Sequence, residues 1–246
     1  MKTFYYKLFA LLFIVTLTFS SCSSDDSTEP DGMENPDENG LTDYQKDVVT
    51  YFKEVALGFE FGNASRITRK WNTDMKIFVD GTPSTALRDE LDRIIAEINA
   101  LTTDGFMIEI VQDQNESNYF IFFGSGNDYA SIYPDQSSFV VNNWGLFSVF
   151  WNGNNELNGG HMYVDIVRAN EAAQKHLLRE ELTQSLGLAR DSSRYQDSIF
   201  QAAWTTTNEY ATIDTDLIRL LYHPEMEIGL DDTTVETLLI AILTAP

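Results

Sequence analysis

Residues 175–201, K-H-L-L-R-E-E-L-T-Q-S-L-G-L-A-R-D-S-S-R-Y-Q-D-S-I-F-Q, constrain the fold more than any other stretch. Leu178, Leu182 and Leu186 recur every fourth residue. They therefore share one side of a helix and need a sheet to cover them. His176, Glu180 and Gln184 recur at the same interval on a separate polar stripe that Gly187 extends. The expected helix covers residues 171–188 and stops near Gly187, where a polar loop turns the chain back to Ser198-Ile199-Phe200.

The rest of the chain supplies the sheet that such a helix needs. Val48, Val49, Phe52 and Val55 at helical spacing predict a helix over residues 43–57, with Thr42 as its cap. Residues 71–79 alternate enough to predict a strand, and Asp80-Gly81 reads as a turn. Thr82 then caps a second helix with Pro83 in its first turn, and Leu87, Leu91, Ile94, Ile95 and Ile98 form its apolar face. Residues 106–111 and 119–123 read as strands, as do 138–142, 147–151 and 161–167. Two helices, over 214–222 and 233–243, close the chain, with a break at Tyr222-His223-Pro224. The order predicts an α+β fold: one mixed sheet backed by helices, with a mainly helical C-terminal part. Between 124 and 160, Trp144, Phe147, Phe150 and Trp151 lie among Gly, Asn and Ser. That stretch suits either a loop-rich part of the core or an aromatic binding platform.

Cysteine usage bears on location. The single cysteine is Cys22. Lys2 and Lys7 begin the chain, an apolar run of about a dozen residues follows, and Ser20-Ser21 precede the cysteine. That is the pattern of a secretory signal, too short to span a membrane. Ser20-Ser21-Cys22 resembles a bacterial lipobox, although Phe19 departs from its usual aliphatic residue. The resemblance implies cleavage after residue 21 and a lipid on Cys22; an ordinary signal with an incidental cysteine is the alternative. Removing Lys2 and Lys7 takes the net charge from −22 to −24, which disfavours nucleic acid as a partner. Residues 22–42 are acidic, carry Pro and Gly, and read as a flexible tether. Asp25 and Asp26 resemble the surface-export signal of Bacteroidetes lipoproteins, which implies an outer-membrane, surface-exposed location.

Residues 180–200 also resemble the active-site unit of metzincin zinc peptidases, the matrixin branch above all. That unit reads H-E-x-x-H-x-x-G-x-x-H, followed by a turn bearing methionine. Here the same positions read E-E-x-x-Q-x-x-G-x-x-R. The resemblance implies a zincin-like domain over residues 43–246, with Glu181 at the general-base position and Gly187 retained. Glu180, Gln184 and Arg190 stand at the three ligand positions, and Phe200 at that of the turn methionine. His161 would lie at the edge of the cleft, and Asp191 and Phe200 would support it. E-E-L-x-Q-x-L-G-L, Asp191, S-I-F and the later L-I-R-x-L-Y-x-P also resemble a bacterial lipoprotein family of unknown function.

Zinc takes imidazole, thiolate or carboxylate. Gln184 offers an amide and Arg190 no lone pair, so no cofactor is expected. Arg190 is expected instead to replace the metal's charge by pairing with Glu180 or Glu181. The expected function is an envelope lipoprotein with a peptidase-like domain that has lost zinc chemistry and binds a peptide or glycan or acts as a scaffold. Two alternatives stand beside it. One is an active hydrolase with a non-standard metal set, such as His176, Glu180 and Gln184, and Glu181 as base. The other is a glycan-binding surface protein using Trp144 and Trp151.

Overall fold

The computed structural model describes residues 40–245. The signal, Cys22 and all of the tether before residue 40 lie outside the described residues. Among the described residues the fold is α+β, with one five-stranded mixed sheet and six α-helices. No helix among the described residues is long and apolar enough to cross a membrane.

Helix α1, Asp43–Ala56, starts where its sequence demands. Thr42 Oγ1 accepts from the Gln45 amide, and Gln45 Oε1 accepts from the Thr42 amide, a reciprocal cap. Val48, Val49, Phe52 and Val55 are all buried. Strand β1 is Met75–Gly81 and so begins later than its alternation suggests. Trp71 leaves the strand because its indole N–H is drawn to Ser185 O at 2.9 Å. The expected turn at Asp80-Gly81 is instead the end of β1. Gly81 pairs with Phe123, and at φ +85° a Cβ there would lie 2.0 Å from Phe123 O. Because the strand runs on, the cap of α2, Thr85–Leu101, is Ser84 rather than Thr82. Thr82 N is held by Phe123 O, and Pro83 precedes the helix. The five expected apolar residues of α2 are buried.

Strands β2, Ile108–Val111, and β3, Tyr119–Gly124, follow. The stretch expected to hold a strand at 138–142 forms turns. A short helix, α3, Gly126–Ile132, precedes it, capped by Ser125. Strand β4 is Gly145–Trp151 and β5 is Leu157–Asp165. β5 stops before the expected Val167 because Asp165 Oδ1 accepts the Val167 and Arg168 amides and bends the chain away. Helix α4, Glu171–Gln184, ends short of the expected residue 188. Helices α5, Thr212–Leu221, and α6, Asp232–Thr244, complete the chain.

The sheet order is β2-β1-β3-β5-β4. The first four of these strands run parallel, and β4 lies antiparallel to β5 at the edge. Leu178, Leu182 and Leu186 are fully buried in the main core, as their spacing requires.

Candidate functional site

The C-terminal end of α4 is clamped from outside the helix. Besides the bond from the Trp71 indole, Tyr222 Oη donates to Leu186 O at 2.9 Å. Gly187 has φ +115°, and a Cβ there would lie 2.0 Å from Arg69 O, so the turn admits only glycine. These restraints fix the polar stripe of α4 against a cavity of about 910 Å³. His176, Glu180, Glu181 and Gln184 line it from the helix, and Asp191 lines it from the following loop. Glu60 joins them from the segment after α1.

The opposite wall is strand β4, all seven residues of which line the cavity. Asp165 N donates to Trp144 O at 2.7 Å, which fixes the phase of the β4–β5 ladder. By antiparallel alternation, the N–H and C=O groups of Gly145, Phe147 and Val149 point away from β5, on the free edge. The Phe147 amide donates to Glu181. Gly145 makes room for that carboxyl: a Cβ on it would lie 2.7 Å from Glu181 Oε1.

Charge at the cavity is one-sided. Burial, then Glu180, Asp191 and Glu60, hold the Glu181 carboxyl well above the usual carboxylate range. Burial, then Asp191 and Glu60, do the same to Glu180. Asp191 is raised by burial, against the Gln184 amide that donates to its Oδ1 at 2.6 Å. Glu60 is raised by burial and then by Asp191. His176 Nδ1 sits 2.7 Å from Thr207 O, which assigns the ring proton to Nδ1 and leaves Nε2 as an acceptor. Burial lowers the pKa of this imidazole. Glu180 Oε2 lies 3.3 Å from Nε2. The raised acid and the lowered imidazole both disfavour an ion pair at this contact.

Arg190 does not pair with Glu180 or Glu181 as its charge suggests. Its Nη1 reaches Leu57 O at 3.5 Å. The loop is tied to the helices by other groups: Gln184 to Asp191, and Ser192 Oγ to Glu54 Oε2 at 3.0 Å. His161 does not lie on the cavity. It is buried on the α3 side, stacked on Tyr133 at 3.6 Å between ring centres, with Nδ1 2.5 Å from Tyr129 Oη. Burial lowers its pKa to about 4. Phe200 is fully buried and packs edge-on to Tyr51 beneath the site. Its turn is pinned by Asp214, which accepts from Ser198 Oγ at 2.6 Å and from Ile199 N at 2.9 Å. Asp214 is itself raised to about 6 by burial. His223 ends α5 as expected, its Nδ1 accepting the Glu225 amide.

The donor set does not fit zinc. Gln184 turns its amide nitrogen to Asp191, and Arg190 faces a backbone carbonyl. Among the described residues no group of three or more His, Cys, Asp or Glu side chains is placed to hold a metal. The rim is aromatic. Phe59 stacks on Trp151 at 5.2 Å, and Trp204 meets Trp144 edge-on at 5.7 Å. Trp144, Trp151 and Trp204 are 37%, 40% and 60% exposed, and Trp151 already carries the Arg69 guanidinium 4.7 Å from its ring centre.

Fold and site together define an α+β protein with an acidic, aromatic-rimmed cleft between an edge strand and a clamped helix. The family model described as Protein of unknown function (DUF2927) matches residues 45–241. The chain belongs to that family. No curated protein matches it.

Proposed function

We propose that this chain is a lipid-anchored envelope protein whose peptidase-like cleft holds an extended peptide without zinc chemistry. The anchor reading rests on residues 1–22, with the lipobox-like Ser20-Ser21-Cys22. The peptidase-like reading is supported by the order strand, helix, strand, strand from β1 to β3, and by α4, which ends at Gln184 just before the Gly187 turn beside the cleft. One observation carries the binding reading: an edge strand that lines the cavity along its whole length, with the Gly145 and Val149 backbone groups on its free edge and the Phe147 amide between them taken by Glu181. Such an edge accepts a further strand through main-chain hydrogen bonds, and side-chain pockets then supply specificity.

The experiment is a peptide array probed with the intact chain and with two proline variants. Val149 has its amide on the free edge, so Val149→Pro removes a docking donor while sparing the pairing to β5. The neighbouring Ser148→Pro removes a ladder bond within the sheet. Val149→Pro is expected to fold and to lose most peptide binding, whereas Ser148→Pro is expected to destabilise the sheet. Full binding by a folded Val149→Pro variant, or no binding by the intact chain, counts against strand addition.

A second reading, glycan binding, is favoured by the exposure of Trp144, Trp151 and Trp204 at the rim. Stacking of sugar rings on these faces requires no free strand edge. A glycan array decides for it if binding survives Val149→Pro and is lost on Trp151→Ala.

A further inference from the structure

The cavity has an imbalance that the fold alone does not require. Glu60, Glu180, Glu181 and Asp191 line it, and Glu60, Glu180 and Asp191 each raise the pKa of a neighbouring acid. Among the described residues no Lys or Arg lines this cavity. Arg190, the cation whose field reaches Glu60, turns its guanidinium to Leu57 O. Glu181 is only 8% exposed, and the donor that reaches its carboxyl is a backbone amide, Phe147 N–H. His176 offers Glu180 a lone pair rather than a charge.

A buried carboxyl without a cation is costly, and proteins normally pair or replace it. The helix does pair its other charged face, where Arg179 meets Glu97 and Glu90. A wide cavity remains open in front of these acids, with Trp144 and Trp204 at its mouth offering faces that suit the stem of a cationic side chain, while Arg69 already lies over Trp151 and Phe59.

We infer that the acids of this cavity receive a cationic side chain, an ammonium or guanidinium group, carried by the bound peptide. This inference rests on the peptide reading above and adds the class of residue that the cleft selects. The main chain of the ligand pairs with the free edge of β4, and its basic side chain reaches Glu180 and Glu181. The aliphatic stem lies against the aromatic rim. Binding a cation there favours the ionised acids, so a basic ligand lowers their raised pKa and releases whatever protons they hold in the free protein.

The test uses the intact chain and an array of hexapeptides in which each position carries Lys, Arg, norleucine or Glu in turn. Norleucine keeps most of the lysine stem and removes the charge. Lys or Arg at one position is expected to raise binding over norleucine by about tenfold or more, the scale of one charge-assisted hydrogen bond. The preference is expected to collapse in Glu180→Gln/Glu181→Gln. That variant should melt no lower than the parent, because two repelling acids become neutral. Should it fail to fold, Glu60→Gln provides the same reading, with a smaller loss. Calorimetry in two buffers of different ionisation enthalpy should show proton release with the lysine peptide and none with norleucine. Equal binding of lysine and norleucine peptides overturns this inference and leaves the peptide reading standing. Failure of every peptide to bind overturns both.

Discussion

Helix α4 carries charge on two faces, and the two are treated in opposite ways. On one face Arg179 is fully buried, with Nη1 on Glu97 Oε2 at 2.5 Å and Nη2 on Glu90 Oε1 at 3.4 Å. Its guanidinium also lies 4.3 Å from the Tyr210 ring centre. Arg93 completes the network by binding Glu90, Glu97 and Glu209. On the other face Glu180 and Glu181 line the cavity, with a neutral imidazole and one backbone amide as neighbours. Adjacent positions of one helix thus hold a paired cation and two acids without a cationic partner. The first arrangement holds α4 to α2. The second contributes nothing to folding that an apolar pair would not, which is why it reads as a site.

The largest expected effect breaks the paired face. Arg179→Met removes the fully buried cation of this network, leaves Glu90 and Glu97 with Arg93 alone, and should lower the unfolding free energy by about 3 kcal/mol, measured by denaturant titration. A smaller loss is expected from Glu90→Gln. Glu90 Oε1 accepts from Arg93 Nη2 at 2.6 Å and Nε at 3.1 Å. Weakening these charge-assisted bonds should lower stability by about 1.5–3 kcal/mol. A loss of less than half a kilocalorie, on the order of experimental error, would remove the contrast between the faces.

The same substitution on the other face should have the opposite sign. Glu181→Gln removes a buried acid with no cationic partner and should raise stability near neutral pH by about 1 kcal/mol. The pH dependence follows from linkage. The folded carboxyl is held above its ordinary value of 4.5. Below about pH 4.5 it is protonated in both states, so parent and variant differ least there. As pH rises, the unfolded chain ionises first, and the parent loses stability relative to the variant until the folded group also ionises. Thermal melts of both proteins from pH 4 to 8 measure this widening gap. A gap that narrows toward neutral pH would show that Glu181 has a partner that stabilises its anion.

Much of this architecture was legible in residue spacing. The leucines of α4 and the apolar face of α2 predict their own burial, because four-residue recurrence has one solution in a helix. The grouping of Glu180, Glu181, Gln184 and Asp191 beside Gly187 was also legible as a local unit. What was not legible depends on distant partners. Glu60 follows α1, Gly145 opens β4 and Asp214 sits in the first turn of α5, and no spacing rule links any of them to α4. Charge complementarity predicts that Arg190 pairs with the glutamates. The tight turn at Gly187 and the pull of Leu57 O aim it elsewhere. His161 was misplaced for a similar reason. Its strand borders the cleft wall, but the ring projects to the α3 side, where Tyr129 and Tyr133 enclose it. Helix α3 itself is a single short segment with few apolar residues, and its cap at Ser125 gives only a weak local signal.

The central claim is that the cleft binds its ligand without a metal. Zinc content and peptide affinity, measured on one preparation of the intact chain before and after dialysis against a chelator, test it most directly. The account predicts far less than one zinc per chain and the same affinity on both sides of the dialysis. One zinc per chain, with binding or peptide cleavage abolished by the chelator, would contradict it.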